Sequence, residues 1–252
     1  MNVNKSHSSR SRMLDVVQIS KNVLIRLSVM DFEKCGGVST EQLIFPKKIQ
    51  AKGTKHKDRI SEQELRLLFI EEFKKTNPEL FYSIETPTVD KFSLGKSYES
   101  IKSNIEGQSA SLDMCIFERV ANVYTRILNL EFKHKNTSIK NIGKDVLKLI
   151  HENQNGAFIL LLENTDKGTL CNLKETGVFN KFYKSFSDFQ LNWRNNDKSI
   201  QLIIISLKQK TIIHRELNKQ DLTNLKAIFF IESDCCYIKE MKGNCWQTET
   251  IK

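Results

Sequence analysis

The sequence has no apolar run long enough to cross a bilayer, since the longest, such as Ala157 to Leu162, are far too short. It also lacks an apolar central region near its start of the kind that marks a secretory signal. Phosphate-binding loops of the GxGxxG or Walker type are absent, which argues against a nucleotide-driven motor. We therefore expect a protein of the cytoplasm that makes no membrane contact.

Cysteine pairs with CxxC spacing are also lacking, although six cysteines are present. Cys115 sits in an apolar segment, where a buried reduced thiol is the ordinary outcome. Cys235, Cys236 and Cys245 are close in sequence and could bind zinc with a further ligand, but their spacing matches no standard zinc pattern. The cysteines thus fit a reducing compartment.

Positive charge is in excess. The chain has 252 residues, a net charge of +9 and a pI near 9.2. Such a balance favours polyanionic partners, with nucleic acid first and an anionic membrane surface second. A lysine-rich surface without a partner is the alternative interpretation.

The pattern along the chain predicts one main domain with an N-terminal extension. Residues 1–50 form the extension, which we expect to be partly disordered and in which apolar stretches such as 23–29 could add strands. Residues 51–252 form an α/β domain. Its first helix begins at Ser61, because Glu64 completes a capping box, and ends near Lys75.

Alternating apolar patterns predict a mixed sheet flanked by helices. A strand, a hairpin, a helix and a buried strand follow the first helix, and the last three form a βαβ crossover. In order, the predicted elements are a strand at 80–85, a loop at 90–108, the hairpin at 111–133, a helix at 139–153, a strand at 157–162, helices within 169–190, and strands at 201–207 and 227–231.

Three of the charged residues on the predicted hairpin strands form a candidate set. Asp113 lies on the first strand, and Glu131 and Lys133 lie on the second. If the hairpin is centred near Asn122, Asp113 falls opposite Glu131, and Lys133 shares their face one pleat further on. A shift of one residue would move Asp113 to the other face. Two carboxylates beside a lysine predict a metal site with a catalytic lysine ammonium next to it. This arrangement is typical of magnesium-dependent phosphodiesterases.

These motifs resemble the PD-(D/E)xK phosphodiesterase superfamily, which includes restriction endonucleases. The resemblance covers about residues 57–163 and rests on a helix with Glu, an Asp on a strand, Glu131-Phe132-Lys133 on the next strand, then a helix and a strand. Segments 59–66, 83–88, 109–113 and 130–133 also look similar to uncharacterised bacterial members. The Pro before the motif Asp is absent, and Leu112 stands in its place.

The resemblance implies a restriction endonuclease-like fold and a role for each motif residue. Asp113 and Glu131 would bind Mg²⁺, with Mn²⁺ as a substitute, and the Phe132 carbonyl is a possible third ligand. Lys133 would position the attacking water. Glu64 is the first choice for an acidic residue from the preceding helix, although the capping box explains it equally well. Glu72 and Glu85 are weaker candidates for that position.

Basic residues flank the motif on both sides. Lys57 and Arg59 precede the first helix, and Lys140, Lys144 and Lys148 recur every fourth residue on the helix after the motif. They could contact the phosphate backbone, or they could be solvated surface.

Two functions fit this sequence. The first is a metal-dependent endonuclease that hydrolyses DNA, in restriction or phage defence, with RNA as a further possible substrate. A double-strand cutter would need two sites and hence a homodimer. The alternative is an inactive nucleic-acid-binding or interaction module on the same fold.

Overall fold

The computed structural model describes residues 14–29, 43, 47–48, 57–58, 60–171, 176–231 and 246–251. The predicted disorder of 1–13, the side chains of Lys57 and Arg59, and the cluster of Cys235, Cys236 and Cys245 lie outside these residues. Within them, Cys115 is buried and free, and burial raises its pKa to about 11. Cys171 is disulfide-bonded, which does not fit the expected reduced cysteines.

Six helices and ten strands make up the described part of the chain. The helices are α1 (Val16–Ser28), α2 (Glu62–Thr76), α3 (Ile139–His151), α4 (Lys167–Leu170), α5 (Val178–Phe189) and α6 (Leu225–Ile228). The strands are β1 (Lys47–Lys48), β2 (Lys57–Asp58), β3 (Phe81–Leu94), β4 (Ile101–Ser103), β5 (Gln108–Val120), β6 (Val123–His134), β7 (Asn155–Leu162), β8 (Ser199–Ser206), β9 (Thr211–Asn218) and β10 (Gln247–Thr250).

Eight of the strands form one mixed sheet in the order β10-β9-β8-β7-β6-β5-β3-β4. Strands β6, β7 and β8 are parallel, and the other neighbours are antiparallel. One apolar layer packs α1 and α2 on the sheet, and the other packs α3 and α5 on the opposite face. The α/β class, the flanking helices and the β6-α3-β7 crossover are thereby confirmed.

Helix α1 corrects the strands predicted near residues 23–29. Its buried side chains recur at helical spacing, and Asp15 caps it by accepting the Gln18 N–H at 2.8 Å. The valines and isoleucines favoured strands locally, but their three- and four-residue spacing matches the apolar face of a helix that packs on α2 and β8. The buried positions are Val16, Ile19, Ser20, Val23, Leu24 and Leu27.

The remaining corrections concern loops and the C-terminal strands. The segment 90–108 is not a polar loop, because β3 runs to Leu94 and β4 pairs with it. The segment 227–231 is not a strand: its first two residues end α6 and the rest form a turn, in which Phe229 packs among aromatic rings of α5 and against Trp246. Strand β9 was not predicted, although its residues continue the sheet beside β8.

Lys198 fixes the C-terminal end of α3. Its buried ammonium donates hydrogen bonds to the carbonyls of Leu149 (2.9 Å), Ile150 and Glu152, and it lies 5.3 Å from the Trp193 ring. The last carbonyls of a helix have no intrahelical partner, so the N–H donors of Lys198 satisfy them, while burial lowers the pKa of this lysine to about 7. The residue before β8 therefore holds the helix that follows the motif.

We expect Lys198→Met to lower the free energy of unfolding by about 1–3 kcal/mol, because it leaves these carbonyls without their donor. The exposed Lys208→Met is the matched control and should change stability by no more than about 0.5 kcal/mol. Urea denaturation of both variants measures the difference. Equal stabilities would contradict this account of Lys198.

Candidate active site

Strands β5 and β6 separate where the motif residues lie. Their pairing runs from the hairpin tip to Met114 and Leu130, and no pair is registered beyond it. Past this point β5 pairs with β3 alone and β6 with β7 alone. Asp113 and Glu131 are the next residues on each strand, so they lie at the opening of a fork between the strands.

A β-bulge sets this register. The tip is a two-residue turn, Ala121-Asn122, with φ of 47° and 67°. Phe117 pairs with Arg126 and Ile116 with Leu128, which leaves Ile127 as the extra residue. If the regular pairing at the tip continued without a bulge, Asp113 would be aligned with Leu130, whose side chain lies on the other face of β6.

The Asp113 carboxylate enters the fork from β5. Its Oδ2 accepts the backbone N–H of Phe132 at 2.7 Å, and so replaces a strand-to-strand hydrogen bond. Its Oδ1 lies 3.9 Å from Nη1 of Arg66 on α2, which also contacts Glu85 Oε1 at 2.5 Å. The Asp113 side chain remains 15% exposed, so it is not fully shielded from solvent.

Glu131 is fully buried on β6. Its Oε1 lies 2.5 Å from Nζ of Lys148, whereas Oε2 accepts no hydrogen bond from the described residues. Burial, followed by the negative charge of Asp145, raises the pKa of Glu131 well above its ordinary value. An unpartnered carboxylate oxygen at a buried position is costly and indicates a missing partner.

Lys133 lies among carboxylates from three elements. Its Nζ donates to the Phe132 carbonyl at 2.7 Å and lies 2.9 Å from Asp145 Oδ2. Glu62 Oε1 and Asp113 Oδ2 are 3.6 and 3.8 Å away. Burial alone would lower the pKa of Lys133, but these carboxylates, Asp145 first, outweigh it and raise the pKa. The lysine is therefore held as a cation.

Helix α3 supplies two further charges, Asp145 and Lys148. Asp145 was not predicted as a site residue, and Lys148 was predicted at the surface. Asp145 is 2% exposed and lies between two ammonium groups, Lys133 and Lys148, the latter 2.8 Å from its Oδ1. Burial would raise the pKa of Asp145, but Lys148 and Lys133 outweigh it and lower the pKa. A signal existed: Asp145 falls on the apolar stripe of Ile142 and Val146.

The expected phosphate contact by Lys148 is corrected by its burial. Its Nζ donates to the Ser111 carbonyl at 2.8 Å and pairs with Glu131 and Asp145, so its charge faces the protein interior. Lys140 and Lys144 are only half-buried on the same helix. They remain the candidates for a phosphate contact.

The acidic residue that α2 contributes is Glu62 and not Glu64. Glu64 accepts the Ser61 N–H at 2.8 Å in the capping box that the sequence predicted. Glu72 pairs with Arg26 and Lys75, and Glu85 is an exposed partner of Arg66. The Phe132 carbonyl, the possible third metal ligand, accepts a hydrogen bond from the Lys133 ammonium.

These contacts show whether Asp113 and Glu131, the cation ligands predicted from the sequence, have oxygens suited to a divalent cation. Within the described ranges, no three His, Cys, Asp or Glu side chains come together as a metal-binding group. Asp113 and Glu131 supply two hard oxygen donors, and Mg²⁺ commonly uses one or two protein carboxylates and keeps several waters. The unpartnered Oε2 of Glu131 fits such a ligand.

Comparison with known proteins identifies no relative. No family model, curated protein or solved structure matches the chain. In the described part of the chain, no helix has the length and apolarity that crossing a membrane requires.

We expect Asp145→Asn to lower the free energy of unfolding by about 3–5 kcal/mol, because two buried ammonium groups lose the carboxylate between them. The control is Asp197→Asn, which changes an exposed carboxylate in the turn before β8. Guanidinium denaturation measures both. A loss for Asp145→Asn no larger than that of the control would show that the ion pairs contribute little.

Proposed function

We propose that the protein is a Mg²⁺-dependent endonuclease that hydrolyses DNA phosphodiester bonds on a fold of the restriction endonuclease-like type, with Mn²⁺ as a substitute. The observation that carries the proposal is the fork itself. It combines a partly exposed Asp113 side chain, a Glu131 oxygen that accepts no hydrogen bond, and the Lys133 ammonium 3.8 Å from Asp113. This is the set of groups that hydrolysis of a phosphodiester needs.

Each residue of the fork has a distinct role in this proposal. Asp113 and Glu131 would hold the cation, which would supply Lewis acidity and a water of lowered pKa. Lys133 holds its proton and stabilises the charge that builds on the phosphate in the transition state. Arg66 orients Asp113, and Asp145 orients Lys133.

The choice of substrate rests on charge. A net charge of +9 favours a polyanion, and Lys140 and Lys144 lie half-buried on α3, the helix that also carries the buried Lys148. DNA in restriction or phage defence is the substrate we propose, with the cytoplasm as its compartment. Cutting both strands would need a homodimer with two forks. RNA carries the same phosphate charge and is the second substrate to assay.

One observation favours the alternative, a nucleic-acid-binding module without catalysis. Glu62, Asp113, Glu131 and Asp145 each have a lysine or arginine within 4.0 Å, so the fork has counter-charges of its own. Such a module would bind DNA without binding a divalent cation. Cleavage and cation binding therefore separate the two functions.

We expect the wild-type protein to cut supercoiled plasmid DNA in Mg²⁺ and Lys133→Ala to cut it at least about 10²-fold more slowly, because the transition-state charge loses its partner. Asp113→Asn should also lose activity, and the exposed Lys208→Ala should keep it. Gel electrophoresis over time measures the rates. A wild type that leaves the plasmid intact, or a Lys133→Ala protein as fast as wild type, would contradict the nuclease.

We expect DNA affinity to fall steeply with salt, because phosphate contacts release counterions. Replacing Lys140 and Lys144 together by Ala should reduce the slope of log K against log salt by about 2. The control pair is Lys219 and Lys226, which follow β9, three strands from β6 in the sheet order.

Fluorescence anisotropy with a labelled duplex at several salt concentrations measures the slopes. An unchanged slope in the Lys140 and Lys144 variant would remove α3 from the DNA interface.

A further inference from the structure

We infer that the Lys148 ammonium takes the place of a second divalent cation, so that the fork binds one cation, at Asp113 and Glu131. The inference deepens the proposed function and rests on it for the first cation. What it adds is that the Lys148 ammonium occupies the position of a second cation.

The surroundings of the Lys148 ammonium are those of a bound cation. Three oxygens from three elements surround it: Glu131 Oε1 at 2.5 Å, Asp145 Oδ1 at 2.8 Å and the Ser111 carbonyl at 2.8 Å. Two carboxylates and a carbonyl are the ligand types that hard divalent cations take. The residue is 6% exposed, so water does not compete for these oxygens as it does at a surface.

Glu131 links this position to the proposed metal site. One of its oxygens lies 2.5 Å from the Lys148 ammonium, and the other accepts no hydrogen bond from the described residues. A carboxylate shared in this way could bridge two cations. Here the ammonium occupies one side, which leaves the free oxygen for one divalent ion.

The net charge of the fork also favours one divalent ion over two. With every group ionised, five carboxylates face three cationic side chains, which leaves a net charge of −2 that one divalent ion neutralises and a second would turn to +2. An excess of that size in a buried site is costly. The carboxylates are Glu62, Glu85, Asp113, Glu131 and Asp145, and the cationic side chains are Arg66, Lys133 and Lys148.

The test counts bound Mn²⁺ by the electron paramagnetic resonance signal of the free ion, without DNA. We expect one ion per wild-type chain and two per Lys148→Met chain, because the variant exposes Glu131 Oε1, Asp145 Oδ1 and the Ser111 carbonyl to a new ion. The matched control is Lys144→Met, one turn earlier on α3, which should bind one. The thermal midpoint of Lys148→Met should rise with Mn²⁺ by more than that of wild type.

A second variant places the additional ion. Lys148→Met combined with Asp145→Asn removes one carboxylate of the new position and should return to one ion. If Lys148→Met folds only with Mn²⁺, measured by circular dichroism, the inference is supported. If it stays unfolded with Mn²⁺, or if folded Lys148→Met binds no more ions than wild type, the inference is overturned.

The number of ions bound by the wild type tests the proposed nuclease, and the additional ion bound by Lys148→Met tests the role of Lys148. A wild type without a bound ion contradicts the proposed nuclease, whereas a gain of one ion in Lys148→Met still supports the cation-like role of Lys148. Two ions in the double variant would overturn the placement beside Asp145.

Discussion

The buried carboxylate of Asp145 is the interaction on which the candidate site depends. It lies 2.9 Å from the Lys133 ammonium and 2.8 Å from that of Lys148, in a place where water contributes little. A buried charge without a counter-charge costs several kcal/mol, so each member of the group requires the others. Through Lys148 the group also includes Glu131, and it thereby joins α3 to both strands of the fork.

The fork itself follows from the geometry of the sheet. Pairing between β5 and β6 stops at Met114 and Leu130, and the single extra residue Ile127 places Asp113 and Glu131 at matching positions beyond it. Asp113 then bonds the Phe132 N–H that a paired strand would otherwise satisfy. An opening between two strands brings polar side chains together inside an apolar sheet, which regular pairing would not do.

The sequence predicted the features of this site that follow from local patterns, and it did not predict those that depend on tertiary contacts. Asp113, Glu131 and Lys133 were recognisable because charges interrupt apolar strands, and the capping box of α2 is a local pattern. The burial of Lys148 was not, since a lysine in a four-residue repeat resembles a solvated face until its partner Glu131 is placed opposite it. Helix α1 was mistaken for strands because its β-branched residues favour strands locally, whereas its packing on α2 is a tertiary contact.

The most direct test of the central claim is the anomalous scattering of a crystal soaked in Mn²⁺. The account predicts a peak within about 2.5 Å of a carboxylate oxygen of both Asp113 and Glu131, with the Lys148 ammonium still beside Glu131. A fork without such a peak, in a crystal of intact protein at saturating Mn²⁺, would contradict the claim that these strands hold a catalytic cation.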